Sequence, residues 1–388
     1  GYPPYTPKRK DEGSPHRISK NPDFVRFQQE QAHWLGDYAL FMAVKDRFEG
    51  IPWTEWAEDI RLRWNNALDY YRKELYFEIE FQEYMQFKFY EQWAKLKAYA
   101  NRRGIRIIGD IPIYVAMDSA DTWANPGLFK LDENNEPTQV AGCPPDGFSA
   151  TGQLWGNPLY RWDVHKNTGF EWWIKRLAHC FNMYDVVRID HFRGLESYWE
   201  IPADSETALN GKWVDGPKDE FFEVLIKTFG EEPPIIAEDL GIITDDVRAL
   251  RDKFGLPGMK ILQFAFEDED SNYLPYNQPY NCICYTGTHD NDTTTGWYAT
   301  ASEKARDKVR RYMNTDGSQI SWDFIRTCFG TPARFALIPI QDLFCQGSEY
   351  RMNTPGKAEG NWAYRVKKEL LTSDVAKRLY DVTKLYGR

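Results

Sequence analysis

Three carboxylates stand where short apolar runs end. Asp190 closes Val186-Val187-Arg188-Ile189, Glu238 closes Ile235-Ile236-Ala237, and Asp290 follows Tyr285-Thr286-Gly287-Thr288-His289. In βα barrels the reacting groups sit where strands end and the following loops begin. Any one of these residues alone could be a helix cap or a solvated turn residue, because Asp and Glu are common in such places. Glu238 fits that role less well, since the helix that follows already has Thr244 as its cap. Taken together, with aromatic-bearing loops nearby, the three suit glycosyl transfer. A retaining mechanism needs a nucleophile and an acid/base about 5–5.5 Å apart across the scissile bond. Adjacent strands lie about 4.8 Å apart, so neighbouring strand ends supply such a pair. Arg188 precedes Asp190 by two residues and therefore shares its strand face. A cation there holds Asp190 ionised, and an inward-facing Arg is costly unless it is paired. The Asp190 charge is expected to raise the pKa of Glu238.

The elements that must position these groups begin after Gly104. Six apolar runs, Ile105–Val115, Val186–Asp190, Pro234–Glu238, Met259–Phe266, Cys282–Thr286 and Phe335–Ile340, alternate with helical stretches. That grammar predicts βα units and a parallel sheet buried on both faces. Six strands fall short of the eight of a closed (β/α)₈ barrel. Ahead of them the pattern from Phe24 to Arg103 is helical, with Phe27, Trp34, Tyr38 and Phe41 on one face. Phe77, Phe81 and Tyr84 fall at helical spacing and are expected to face a neighbouring helix. The expected organisation is an N-terminal arm over 1–23, a helical insertion over 24–103 and a catalytic barrel portion over 104–388. The segment Pro144–Pro158 is read as a loop and a candidate lid. Trp123 and Trp155 are read as loop tryptophans outside any periodic core face.

Composition narrows the partners. A net charge of −10 argues against nucleic acid or an anionic membrane, and 42% hydrophobic with 27% charged residues fits a soluble cytoplasmic protein acting on a neutral ligand. Aromatic residues reach 16%, including 15 Trp, which suits sugar faces as well as core. The six cysteines read as reduced packing residues. His289-Asp290-Asn291-Asp292 invites a metal reading, but no H-x-H or E-x-x-H accompanies it and no Gly-rich phosphate loop follows a strand. No metal and no cofactor are expected.

The segments Gly109-Asp110-Ile111-Pro112-Ile113-Tyr114-Val115, Pro144-Pro145-Asp146 with Gly152-Gln153-Leu154-Trp155-Gly156-Asn157-Pro158, Arg188-Ile189-Asp190-His191-Phe192-Arg193-Gly194, Ala237-Glu238-Asp239-Leu240-Gly241 and Thr288-His289-Asp290-Asn291-Asp292-Thr293 resemble, in order and context, the 4-α-glucanotransferase (amylomaltase, disproportionating enzyme) family of the α-amylase clan. The likeness runs from near Phe24 to Asn361-Trp362. It implies an α/β fold, a TIM-type (β/α)₈ barrel carrying a helical insertion. It also implies transfer of α-1,4-glucan segments between maltooligosaccharides and glucose or glucan acceptors, with Asp190 as nucleophile, Glu238 as acid/base and Asp290 as transition-state stabiliser. Sugar contacts are implied for Asp110, Asp146, Gln153, Trp155, Arg188, His191, His289 and Asn353. The chemistry alone leaves two alternatives, an α-glucan hydrolase using the same carboxylates and a chain that binds glucan without turnover. Nothing before Phe24 resembles the first strand of the family's barrel or its Ser-Pro-Tyr-type loop. The expectation is therefore a barrel lacking its first strands, in a chain that by itself is a weak enzyme.

Overall fold

The computed structural model describes residues 21–145, 149–357 and 359–388. Its ten strands are β1 (Ile108–Pro112), β2 (Gln139–Cys143), β3 (Gln153–Pro158), β4 (Val186–Asp190), β5 (Ser197–Pro202), β6 (Lys212–Asp215), β7 (Ile235–Ala237), β8 (Gly258–Ile261), β9 (Cys282–Tyr285) and β10 (Phe335–Leu337). The chain divides into two compact units, one of residues 1–186 with 198–217 and one of residues 187–197 with 218–388. The fold class is α/β, with helices and sheets in both.

The first unit opens with five helices: α1 (Pro22–Glu30), α2 (Leu35–Arg47), α3 (Glu58–Arg61), α4 (Asn65–Glu74) and α5 (Tyr76–Asn101). Their cores are aromatic. Phe24, Phe27 and Leu35 pack with Phe87 of α5, while Phe41, Trp53, Trp56 and Ile60 surround Trp123. Trp123 lies on the short α6 (Ala120–Ala124), is wholly buried, and donates its indole N–H to the Ile60 carbonyl at 3.1 Å. It is a core residue and not the loop tryptophan expected, because a neighbouring segment rather than its own periodicity supplies its pocket. The Phe77 stripe is also corrected. Tyr84 packs on Phe24 of α1 as expected, but Phe77 is 62% and Phe81 44% exposed, since α5 buries its Tyr84–Phe87 face instead. Helical spacing says that residues share a face, and not which face is covered.

This unit also holds an antiparallel four-stranded sheet in the order β3-β2-β5-β6, which the sequence reading missed. Gly142 opposes Leu154 and Trp199 in its two ladders. A Cβ on Gly142 would lie 2.2 Å from the Gln153 carbonyl oxygen, so only glycine fits there. The segment taken as a lid therefore ends in strand β3, and Trp155 stands on a strand. These strands carry Gly, Pro and Trp in place of β-branched alternation, which removes the usual sequence signal. Helices α7 (Trp162–Asn167) and α8 (Glu171–Met183) complete the unit.

In the second unit the strands are parallel and follow chain order. Val187, Arg188 and Ile189 of β4 pair with Ile235, Ile236 and Ala237 of β7, and β8, β9 and β10 pair in succession. Ala237 N–H donates to the Pro257 carbonyl at 2.9 Å, bringing the end of β7 beside the start of β8. The strands are short because each apolar run turns into a helix or loop early: Leu262–Phe264 is a 3₁₀ turn, and Ile340 starts α14 (below). The helices are α9 (Lys218–Phe229), α10 (Asp245–Lys253), α11 (Thr294–Thr300), α12 (Glu303–Met313), α13 (Ile320–Phe329), α14 (Ile340–Leu343) and α15 (Ser373–Leu385). Thr244 is the cap residue of α10, as read, but its side chain makes no capping bond. Leu262, Phe266, Cys282, Cys284, Phe324 and Cys328 form the core against these strands, whereas Cys345 is exposed and is not a packing residue.

Candidate active site

β4 delivers two of the predicted groups. Its alternation places the Arg188 and Asp190 side chains on one face, and the Arg188 guanidinium meets the Asp190 carboxylate at 2.9 Å. Arg188 is 7% exposed, so this ion pair has a dry side, while the Asp190 side chain remains 44% exposed. Extending the β4–β7 register by one residue sets Asp190 beside Glu238. Strand spacing of about 4.8 Å makes them neighbours. Phe192 N–H donates to the Glu238 carbonyl at 3.1 Å, and Glu238 N–H donates to the Ile189 carbonyl at 3.1 Å, which fixes the two strand ends together.

The chain turns sharply after Asp190. His191 has φ 53°, in the left-handed region, and its N–H points at the Glu238 carboxylate, donating to Oε2 at 2.8 Å. Leu240 N–H donates to Oε1 at 2.8 Å. Glu238 thus has two neutral donors and, at close range, the negative Asp190. Burial first and the Asp190 charge second push its pKa up from 4.5 to about 8, against the pull of Arg188 and of the two N–H groups. The rise matches the sequence expectation, but its main cause is desolvation and not the neighbouring charge. Burial, with Arg193 nearby, pushes the His191 imidazole down to about 3, so it is neutral at ordinary pH.

Asp239, next in sequence, anchors this loop from behind. It is 6% exposed, accepts the Met259 N–H at 2.7 Å and pairs with Arg251 of α10. A Cβ on Gly258 would lie 2.4 Å from Asp239 Oδ2, so β8 must begin with glycine for this pair to form.

Asp290 lies beyond β9, two strands away from Glu238. Its carboxylate accepts the Asn353 amide at 2.6 Å and approaches His289 Nε2 at 3.4 Å. Its backbone carbonyl accepts the Arg351 guanidinium at 2.5 Å, and Arg351 Nε–H also donates to the Asn353 carbonyl at 2.8 Å. Thr288 N–H and hydroxyl both donate to Asn291 Oδ1 at 2.8 Å, forming the turn that carries His289 and Asp290. The root of this turn is held by Asp342 of α14. That wholly buried carboxylate accepts the Thr286 hydroxyl at 2.6 Å and the Thr294 N–H and hydroxyl at 2.8 and 2.7 Å. The His289 ring lies 5.1 Å from that of Trp362. A cavity of ≈ 390 Å³ is lined by Arg188, Met259, Tyr285, His289, Asp292 and Arg351, among others.

The second unit therefore brings together Asp190, Glu238, Arg188 and His191, with Asp290, His289 and Asn353 forming an adjoining cluster. Of the other predicted contacts, Asp110 is exposed on β1 of the first unit. Gln153 and Trp155 are exposed on β3, joined by an indole-to-amide bond of 3.1 Å. Asp146 lies outside the described residues. Asp239, Arg251, Asp342 and Arg351 were missed. Only Asp239 and Arg351 carried a sequence signal, by adjacency to Glu238 and by the Arg-x-Asn spacing to Asn353. Among the described residues no group of three or more His, Cys, Asp or Glu is arranged to hold a metal ion. No described helix is long and apolar enough to cross a membrane.

Along most of its length the chain is similar to known proteins. The family model described as 4-alpha-glucanotransferase matches residues 7–372. The 4-alpha-glucanotransferase of Synechocystis sp. is 49% identical over 370 residues, covering 94% of this chain and 73% of that protein. That of Thermus thermophilus is 49% identical over 365 residues, covering 92% and 73%. The solved amylomaltase of Streptococcus agalactiae, in complex with acarbose, superposes with a TM-score of 0.93 at 41% identity, covering 96% of this chain and 76% of that one. The chain thus spans about three quarters of the length of these relatives. With residues 7–372 matched by the family model, the chain belongs to the 4-α-glucanotransferase family.

Proposed function

We propose that this chain performs the family's transfer of α-1,4-glucan segments through a covalent glucosyl–enzyme on Asp190. The observation that carries the assignment is the unequal environment of two adjacent strand-end carboxylates, Asp190 paired with Arg188 and Glu238 desolvated beside it. In the first step Asp190 Oδ attacks the anomeric carbon. The bond from that carbon to the departing 4-oxygen breaks, and Glu238 gives its proton to that oxygen. In the second step Glu238, now a carboxylate, takes the proton of an acceptor 4-hydroxyl, whose oxygen attacks the same carbon and frees Asp190. Two displacements retain the α configuration. Asp290 accepts hydrogen bonds from sugar hydroxyls, and these strengthen as the oxocarbenium-like state develops.

The parallel run β4, β7, β8, β9 and β10 supports placing these groups at the mouth of a (β/α)₈-type barrel, with the helices before Arg103 as an insertion. Arg188, His191, His289 and Asn353 would contact sugar from this unit. Trp155, 37% exposed, presents a ring face of the kind that stacks on glucose. Acarbose, which the Streptococcus agalactiae amylomaltase holds, is the natural probe for these contacts.

Incubation with maltotriose tests the reading. Transfer gives glucose and longer maltooligosaccharides with constant reducing ends, whereas steadily growing reducing ends would show a hydrolase. Asp190→Asn should abolish turnover and keep maltooligosaccharide binding. An active Asn variant would sink the nucleophile assignment.

A further inference from the structure

Asp290 is held through two of its own atoms and its neighbour's carbonyl by one short segment, Arg351–Asn353. The Arg351 guanidinium bridges two carbonyls, those of Asp290 at 2.5 Å and Asn353 at 2.8 Å. Asn353 sends its side-chain amide to Asp290 Oδ1 at 2.6 Å and its N–H to the His289 carbonyl at 3.1 Å. The segment is itself tied down, since Met352 accepts the Trp362 N–H at 2.8 Å and Asn361 Oδ1 accepts the Thr354 N–H at 2.9 Å. Strand β9 ends at Tyr285, five residues before Asp290, so regular structure does not fix that carboxylate. The turn at Thr288–Asn291 shapes the loop locally, its root rests on Asp342, and Arg351 with Asn353 ties its tip to a second segment.

We propose that Arg351 is a positioning residue for glucan transfer, acting through Asp290 and with Asn353 as its partner. This rests on the reading of Asp290 as the transition-state stabiliser. Asn353 then serves chiefly by spending its amide on Asp290, and its Oδ1 is left for a sugar hydroxyl. The guanidinium suits the task because its fixed fork reaches two carbonyls at once, which a lysine ammonium on a flexible stem does less well. If the clamp only preorganises Asp290, losing it misplaces a group whose bonds matter in the transition state. Such a loss appears in kcat with little change in KM. Misplacement by about 1 Å costs on the order of 10²-fold.

The test is a double-mutant cycle in the whole protein, with transfer from maltotriosyl fluoride so that slow variants remain measurable. Arg351→Ala should lower kcat about 10–100-fold with KM within about threefold of the parent. Arg351→Lys should recover part of that loss. In an Asp290→Asn background Arg351→Ala should cost almost nothing further, because the two act as one unit. If Arg351→Ala melts below the assay temperature, the Lys variant carries the same cycle. An equal fold-loss in both backgrounds, or a loss confined to KM, overturns the proposal while leaving Asp290 in its role. A fully active Asp290→Asn enzyme instead overturns the reading of Asp290, and the proposal with it.

Discussion

Glu238 offers the sharpest prediction, because one number governs both rate and stability. Its carboxyl is pushed from 4.5 to about 8. At pH 7 it is then about nine-tenths protonated and ready to act as acid, and above pH 8 the protonated fraction falls about tenfold per unit. The profile of kcat/KM, which reports the free enzyme, should therefore turn down near pH 8. The stability consequence has a definite sign. The folded-state value lies above the unfolded one, so the group's contribution is complete below about pH 4.5 and is lost as pH rises through about 8. At 1.36 kcal/mol per unit, folding with this group costs about 3 kcal/mol at pH 7 and about 5 kcal/mol at pH 9. Glu238→Gln removes that cost. It also removes one acceptor, since His191 and Leu240 donate to different oxygens and glutamine has only one. The orphaned N–H costs about 1–3 kcal/mol. The two effects cross: the Gln variant should melt below the parent at pH 5 and above it at pH 9, while losing transfer from maltotriose at every pH. Melting curves and initial rates from pH 5 to 9.5 supply the readout. A downturn near pH 5, or a Gln variant that is less stable throughout, would refute the buried, proton-holding Glu238.

Two further outcomes concern the supports. Gly258→Ala forces a methyl against Asp239 and Arg251 and should destabilise by about 1–3 kcal/mol, lowering the melting temperature by several degrees, with kcat reduced because the loop behind Glu238 shifts. Asp342→Ala strips the acceptor from two hydroxyls and an N–H beneath the Asp290 turn and should cost about 2–4 kcal/mol by denaturant titration, against a smaller cost for Asp342→Asn, whose side chain can still pair with both threonines.

The parallel strands and the Arg188–Asp190 pair were legible because each obeys a local rule. Val186–Asp190 is a short apolar run closed by a carboxylate, and a two-residue step from Arg188 puts the partner on the same face. The antiparallel sheet was not legible, since Gly142, Gly156 and Pro158 interrupt its strands and its β2–β5 pairing joins segments about sixty residues apart. The supporting groups hid for a related reason. Asp342 touches Thr286 and Thr294 only after the fold brings α14 beneath β9, and Arg251 reaches Asp239 across a helix. Burial direction was equally silent. Phe77 and Phe87 both satisfy the helical period of α5, yet one is exposed and the other is core.

The division of labour proposed for Asp190 and Glu238 follows from what each strand end is given. Both are carboxylates at equivalent register positions of neighbouring parallel strands, so position alone would let either act as nucleophile. Asp190 has a guanidinium at 2.9 Å and water on its outer side, and both favour the anion. Among the described residues no cation forms an ion pair with Glu238. Its two donors are neutral backbone N–H groups, one of them aimed by the left-handed turn at His191, and its surroundings are desolvated. An ionised Asp190 makes a second anion beside it costlier still, so the charge that readies the nucleophile also keeps the proton on the acid. Once Asp190 forms its ester with the sugar, that charge is gone and the reason for Glu238 to hold a proton weakens, which suits its second role as base toward the acceptor hydroxyl. In the proposed mechanism the same two residues therefore serve both half-reactions, with the covalent step easing the Asp190 part of what keeps Glu238 protonated.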